Sequence, residues 1–352
     1  MVRMKDIAAE LGVSVSTVSL VLNNRDQGRV NSAVAQRIRD RAEELGYVPN
    51  LLARGLKTKR SHTLGLLADR VATVPFAGPM LAGAQRAAWE EGFLLLVIDT
   101  GGDRRLDTPA TQSLLQRDVE ALVVAADFHR EVVVPPVPAS VPTVVLDGWP
   151  DDPDSADGVV PDEVGGATAA TEHLIAAGHR RIAMIGVAGD TYVAARLRRA
   201  GYENALRGAG IQPDPDLQVE APDPSSRSAV PAAEALLTRP TRPTAIFCFS
   251  DQIALTVSQV ASHHGLRIPE DLSLVGFDNQ QYVADAMIPG LTTVQLPHDA
   301  MGEWAARRVI ARIRGETDDA PVVERIPCGL VERSTVAPPA ADPSAPIERT
   351  AP

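Results

Sequence analysis

Residues 14–23 read Ser-Val-Ser-Thr-Val-Ser-Leu-Val-Leu-Asn, a stretch whose types and spacing could read another macromolecule. On a helix opened by Ser14 as N-cap, Val18, Val21 and Leu22 fall on one face. Val15, Ser16, Thr17, Ser19 and Leu20 are left on the other. A helix carrying such small or medium side chains can sit deep in the major groove of DNA, where hydroxyls and methyls meet base edges. The same spacing also suits an ordinary three-helix bundle with a polar face. A second kind of chemistry lies further along the chain. Asp147 follows the apolar run Thr143–Leu146, Asp278 follows Leu272–Phe277, and Arg198 opens a helical run that ends at Gly208. Carboxylates accept hydrogen bonds from hydroxyls or ring N–H groups, and a guanidinium donates a planar fork. Taken singly, each acid reads equally well as a solvated loop residue.

Covalent chemistry finds little support. No GxGxxG follows the first strand and no Walker loop occurs, and Gly186-Val-Ala-Gly189 is too sparse to count. The seven histidines are scattered, and none pairs with a recognisable nucleophile. Cys248 and Cys328 lack CxxC or metal-ligand spacing and read as buried small hydrophobes in a reducing compartment. The expectation is a binding protein: no catalytic residues, no metal and no cofactor.

The elements that must position these residues begin with a helical head. Ile7, Ala8 and Leu11 share a face of a helix over Met4–Leu11, which Gly12 ends. The second helix runs to Leu22. Asn31 or Ser32 caps a third, on which Ala35, Ile38, Ala42 and Leu45 recur at helical spacing. We divide the chain into this all-α head (1–47), a hinge (48–60), an α/β core (61–336) and a Pro- and Ala-rich tail (337–352), which has few groups to bury and reads as disordered. Strand candidates in the core are Thr63–Ala68, Phe93–Ile98, Ala121–Ala125, Thr143–Leu146, Ile182–Ile185, Ala245–Phe249 and Leu272–Phe277. They are continuous apolar runs, as parallel strands covered on both faces require. Helix candidates alternate with them: Met80–Glu91, Glu163–Ala177, Arg198–Gly208, Ala232–Thr238, Gln252–Gly265 and Pro297–Arg314. This order predicts doubly wound parallel sheets, and the length suits two of them. Ligands of such folds lie beyond the carboxyl ends of the strands, so the crevice between the sheets is the expected pocket.

Charge divides the chain in the same way. The formal net charge is −11, yet residues 1–60 carry 11 Lys and Arg against 6 Asp and Glu. A basic head on an acidic body points to a polyanion as partner of the head alone. No window is apolar for long enough to cross a membrane. Met1-Val-Arg-Met-Lys-Asp-Ile has no apolar signal core, so a cytoplasmic protein is expected.

Lys5–Asn23, K-D-I-A-A-E-L-G-V-S-V-S-T-V-S-L-V-L-N, and Glu44–Lys57, E-L-G-Y-V-P-N-L-L-A-R-G-L-K, together resemble the DNA-binding head of the lactose-repressor (LacI/GalR) family. The resemblance continues through Leu64-Gly-Leu-Leu, the segment His173–Gly186, Ala195-Arg-Leu-Arg-Arg-Ala-Gly-Tyr, Asp271–Asn279 and Pro289-Gly-Leu-Thr-Thr-Val, to about Thr335. It implies a regulator, usually a repressor, with a core of the periplasmic-binding-protein type. Such a core has two subdomains joined by three crossings, placed near 161, 290 and 320. The N-subdomain would hold about 61–161 and 291–320, and the C-subdomain about 162–290 and 321–336.

By the same resemblance Val15, Ser16 and Leu20 choose the bases, while Ser14, Thr17, Ser19, Asn23 and Tyr47 meet phosphates or hold the helix in register. The hinge, Asn50–Leu56, would fold on DNA. There Leu56 would wedge into the minor groove, with Asn50, Ala53, Arg54 and Lys57 nearby. Asp147, Arg198 and Asp278 correspond to effector contacts, with Phe76 and Trp149 as stacking walls and Tyr192, Phe249 and Gln280 beside them. Departures from the family pattern are Leu20, where a polar residue is common, Arg3 in place of a capping Thr, a slightly long Arg25–Arg29 segment, and Ser250-Asp251 where Asn-Asp is commoner. The partners implied are a pseudo-palindromic operator, a second copy of the chain in a dimer or tetramer, and a small effector. A sugar is the first expectation for that effector and a purine the alternative. A solute sensor without DNA binding is a further reading, left open by Leu20 and Gly55.

Overall fold

The structure, a computed structural model, describes residues 2–47, 60–71, 77–189, 191–317 and 320–340. The hinge residues Asn50, Ala53, Arg54, Leu56 and Lys57, the wall candidate Phe76 and tail residues 341–352 lie outside these. The chain divides into two compact units, residues 1–61 and 62–352.

In the first unit three helices, α1 (Met4–Leu11), α2 (Val15–Leu22) and α3 (Ser32–Glu44), bury Ile7, Ala8, Val18, Val21, Ala35, Ile38 and Ala42 in one small core. Gly12 turns α1 into α2 at φ 65°, the left-handed region that a side chain disfavours. Arg3 stands at the N-cap of α1, and its backbone N–H donates to the Asp6 carboxylate at 2.9 Å. The acid on the third helical residue thus closes the turn that a capping hydroxyl would otherwise hold. Asn31 caps α3, its side chain accepting from the Ala33 N–H at 2.9 Å.

In the second unit β1 (Thr63–Ala68), α4 (Gly78–Glu90), β2 (Leu94–Asp99), α5 (Asp107–Leu115), β3 (Ala121–Val132), β4 (Thr143–Pro150) and β5 (Asp157–Pro161) build one sheet. Then α6 (Glu163–Ala176), β6 (Ile182–Val187), α7 (Val193–Gly208), β7 (Gln218–Ala221), α8 (Val230–Leu237), β8 (Ala245–Cys248), α9 (Asp251–His263), β9 (Ser273–Asp278), α10 (Gln281–Ala284) and β10 (Thr292–Gln295) build a second. Helix α11 (His298–Arg314) and β11 (Val323–Ile326) return to the first, and β12 (Gly329–Val331) to the second. The strand orders are β11-β5-β4-β3-β1-β2 and β12-β10-β9-β8-β6-β7. All pairs are parallel except β10 with β12. Cores of Leu, Val, Ile, Ala and Phe lie on both faces of each sheet, which is why the strands read as unbroken apolar runs.

Helices pack closely where glycine permits. A Cβ on Gly83 would lie 2.0 Å from the Asp299 carbonyl oxygen and one on Gly302 2.0 Å from that of Met80, so α4 and α11 touch backbone to backbone. A Cβ on Gly201 of α7 would sit 2.4 Å from the Val164 carbonyl oxygen of α6. The position of Arg198 in the second sheet's helical layer depends on that contact.

Several expectations need correction. The chain crosses between the sheets at 161–163, 295–298 and 326–329, so the crossings placed near 290 and 320 come too early. Strand β10 pairs with β9, and β11 pairs with β5. Arg198 does not open its helix; α7 begins at Val193, where Tyr192 at the N-cap makes no side-chain capping bond to mark the start. Strand β4 runs on past Leu146 to Pro150 through a bulge. The outermost strands β7 and β11 are too exposed to show an apolar run. The segment expected to be disordered from 337 begins with order: the Ala337 N–H donates to Ser273 Oγ at 3.1 Å, and its carbonyl accepts from His179 Nε2 at 2.9 Å.

Candidate functional site

On the head, α2 presents a surface of hydroxyls and methyls. Val18 and Val21 are fully buried, while Val15 is 48% exposed beside exposed Ser16 and partly exposed Thr17, Ser19 and Leu20. The ends of the helix are closed by its own side chains. Ser14 Oγ accepts from the Thr17 N–H at 3.0 Å and shares a hydrogen bond of 2.8 Å with Thr17 Oγ1. Asn23 Nδ2 donates to the Ser19 carbonyl at 2.7 Å. Tyr47 rests against the head's core, and burial raises its phenol above the ordinary range. Lys5, Arg25 and Arg29 are exposed. Arg39 is paired with Asp26 at 2.7 Å, and Arg41 with Glu10 and Glu44 at 2.6 and 2.7 Å.

Within the second unit a cavity of about 440 Å³ opens between the two sheets, at the carboxyl ends of their strands. The first sheet contributes Phe128 and His129 from β3, Asp147 from the bulge of β4, and Pro161. The second contributes Glu163 at the start of α6, Tyr192 at the N-cap of α7 and Arg198 within it, Phe249 and Ser250 after β8, Asp278 at the end of β9 and Gln280 just beyond it. Both Asp147 (φ 64°) and Asp278 (φ 101°) adopt a left-handed backbone. Such strained positions gather at ligand sites, where they aim a side chain that a regular strand would turn into the sheet.

Arg198 organises the second sheet's half of the cavity. Its Nε donates to Glu163 Oε2 at 2.7 Å and its Nη2 to Glu163 Oε1 at 3.3 Å. Nη1 donates to the Phe249 carbonyl and, at 3.3 Å, to Asp278 Oδ1. The guanidinium carbon lies 3.7 Å from the centre of the Phe277 ring and 4.5 Å from that of Phe249. Four of its five N–H groups are thereby committed. Burial is the largest single influence on the Glu163 carboxyl and works to raise it, but Arg198 and His129 together outweigh it and lower the group to about 2. Asp278, which also accepts from Gln280 Nε2 at 2.9 Å, is pushed up by burial. Below it, Asp251 is raised by burial and by the charge of Asp278, while it accepts from the Gln280 N–H and from Thr293 Oγ1.

The first sheet's half is unsatisfied. Asp147 is 3% exposed, and its Oδ1 has no hydrogen-bond partner among the described residues. Burial, then the facing charge of Glu163, raises it well above the usual carboxylate range. His129 Nδ1 is likewise without a hydrogen bond, 3.9 Å from Glu163 Oε1. The Phe128 ring meets that of Tyr192 across the cleft at 5.1 Å between centroids. The arrangement can hold a small polar ring between aromatic walls, with free acceptors on one side and a braced ion cluster on the other.

Six of the eight residues named for effector contact thus line one cavity: Asp147, Arg198, Asp278, Tyr192, Phe249 and Gln280. Trp149 does not. In a regular strand it would share a face with Asp147, two residues back, but β4 is bulged between Leu146 and Gly148, and the Trp149 ring packs edge-on against His129 at 5.3 Å. Sequence reasoning missed Phe128, His129 and Glu163. An acid opening a helix reads as a complement to the helix dipole, and the strand holding Phe128 and His129 extends beyond its apolar run. Both cysteines are free and buried, and burial pushes their thiols up. Among the described residues no group of His, Cys, Asp or Glu could hold a metal ion.

Comparison with known proteins gives two family matches: Bacterial regulatory proteins, lacI family, over residues 3–50, and Periplasmic binding protein-like domain over residues 171–336. The chain is 35% identical to the ribose operon repressor of Escherichia coli strain K12 over 320 residues, covering 90% of this chain and 94% of that one. It is 33% identical to the HTH-type transcriptional repressor PurR of Vibrio atlanticus, over 96% of this chain and 99% of that one. Among solved structures, a complex of the transcriptional regulator CelR with cellobiose superposes with a TM-score of 0.65 at 32% identity, over 95% of this chain and all of that one. The lac repressor dimer bound to operator and the anti-inducer ONPF superposes with a TM-score of 0.73 at 26% identity, over 96% and 99%.

Proposed function

The chain belongs to the LacI family of bacterial regulatory proteins, and on that premise we propose that it represses transcription from a pseudo-palindromic operator under the control of a small effector, a sugar. It is a regulator and not an enzyme, as its relatives are repressors. Two copies each lay α2 in a major groove, where Val15, Ser16 and Leu20 touch base edges and Ser14, Thr17, Ser19, Asn23 and Tyr47 position the helix on phosphates. Leu20 offers only apolar contact, which suits a thymine methyl. The protein works in the cytoplasm, beside the chromosome. No helix among the described residues is long and apolar enough to cross a membrane.

The effector occupies the cleft between the sheets, touching Asp147, Arg198, Asp278, Tyr192, Phe249 and Gln280. The observation that carries this reading is the lone Oδ1 of Asp147, buried in the cavity with no partner. A buried acceptor left unpaired costs about 1–3 kcal/mol, and a ligand hydroxyl removes that cost. Binding would draw the two subdomains together and so shift the equilibrium between DNA-bound and free states. A purine is the poorer fit, because Trp149, the ring that would have stacked on it, faces His129 instead of the cavity.

The test is selection of genomic fragments by the purified full-length chain at moderate salt, where non-specific phosphate attraction is weak. Recovery of a two-fold-related sequence, with binding altered by a sugar, is expected. No enriched site, with or without a metabolite mixture, would overturn the regulatory reading.

A further inference from the structure

We infer that the cleft admits an uncharged, hydroxyl-rich molecule and rejects anions, phosphorylated sugars and sugar acids included, with Asp147, Glu163 and Asp278 enforcing the choice. The inference rests on reading the cleft as the effector site. Four carboxylates line the cavity, Asp147, Glu163, Asp223 and Asp278, of which Asp147 and Glu163 are 3% and 2% exposed. The one guanidinium among the lining residues is Arg198, and four of its five N–H groups are spent on Glu163, Asp278 and the Phe249 carbonyl. No lysine could replace it, because the chain has none after Lys59. Helix N-termini are the other natural seats for an anion, and α6, α9 and α11 already hold Glu163, Asp251 and Asp299 in their first turns. Helix α7 opens without an acid, as does the single turn of α10 after Gln280.

The groups that lack partners point the same way. Asp147 Oδ1 can take a hydrogen bond from a hydroxyl, whereas a phosphate or carboxylate oxygen has no proton to give it. A hydroxyl can also both donate and accept, and so can bridge His129 Nδ1 and Glu163 Oε1, which stand 3.9 Å apart. An anion placed there would be stripped of water beside buried acids, a repulsive element that discriminates by itself.

The experiment exposes immobilised full-length protein to the small-molecule fraction of a bacterial extract. The extract is supplemented with equal amounts of ribose, glucose, galactose, cellobiose, ribose 5-phosphate, glucose 6-phosphate and glucuronate, and the retained species are identified by mass. Ala194→Trp and Gln280→Trp each fill the cavity from a different side, so one folded variant suffices as the control. Neutral polyols retained by the wild type and lost on filling the cavity are the expected result. Anions retained and lost in the same way would overturn the charge argument while leaving the cleft as the effector site. No species distinguishing wild type from a folded, filled variant would overturn both. Asp147→Asn keeps the shape and removes the charge, so it should raise retention of the anions roughly tenfold, the ratio that corresponds to about 1.4 kcal/mol. Unchanged exclusion would remove Asp147 from the proposal.

Discussion

The head and the cleft solve recognition in opposite ways. The surface proposed to read DNA comes mainly from Ser14–Asn23, one eight-residue helix with its two caps, closed on itself by Ser14 and Asn23. The cleft is assembled from side chains between Phe128 and His298, buried and partly unsatisfied. A surface made by one helix is fixed by periodicity and caps, and its cost to folding is small. A pocket made by the ends of two sheets holds acids that each fold segment alone would keep in water. There the ligand's chemistry is set by which charges the fold brings together.

Substitutions can sharpen or break this contrast. The largest effect should come from Arg198→Ala, which leaves Glu163 and Asp278 buried without their cation. Loss of about 3–5 kcal/mol is expected for the core, as for other broken buried ion pairs, together with loss of the effector response. Denaturant unfolding measures it, and a change near zero would mean that the cation does not hold the acids. Ile38→Ala should cost the head about 2–5 kcal/mol. Calorimetry should show the head's transition falling while the core's stays in place, with effector binding kept and operator binding lost. A single joint shift would contradict the division into two units. Gly201→Ala forces α6 and α7 apart at a contact where the added Cβ would lie 2.4 Å from a carbonyl oxygen. About 1–3 kcal/mol of core stability should go, and effector affinity with it, because Arg198 shifts; unaltered affinity would show that the helix contact does not position the guanidinium. Ser14→Ala removes a cap and should cost about 1 kcal/mol, read as a lower melting temperature of the head.

The smallest effect is the most diagnostic of the cleft. The folded-state Asp147 carboxyl lies well above its ordinary value of 3.8, so ionising it opposes folding. The penalty is absent below that ordinary value, grows as pH rises through it, and persists at neutral pH. Asp147→Asn should therefore melt higher than wild type at pH 7, and the advantage should vanish in acid. Glu163 has the opposite sign. Lowered from 4.5 to about 2, it contributes stability above 4.5 that is lost as pH falls towards 2. An Asp147→Asn variant less stable than wild type at pH 7 would mean that the unpaired carboxyl is not strained.

The head was legible almost to the residue. Helices over Met4–Leu11 and from Ser14 to Leu22 carry apolar faces at helical spacing and end at residues that cap or turn. The central strands were equally plain, since a strand covered on both faces must be apolar throughout. Edge strands such as Val323–Ile326 escaped, because one exposed side allows Glu324 and Arg325 where a central strand would need Val. In the site, Asp147, Arg198 and Asp278 were found through resemblance, whereas His129 and Glu163 were not, as nothing in either one's neighbourhood along the chain marks it for a ligand.

The sequence by itself determined the division into a basic helical head and an acidic α/β core, the faces of the helices and the runs of the central strands. These follow from local propensity and periodicity, which act over a few residues. Only the tertiary structure decided that Arg198 is spent on Glu163 and Asp278, that Trp149 turns from the cavity and that Asp147 is left without a partner. Those outcomes depend on a bulge in β4, a glycine contact between α6 and α7 and the facing ends of two sheets, which bring distant residues within hydrogen-bonding range.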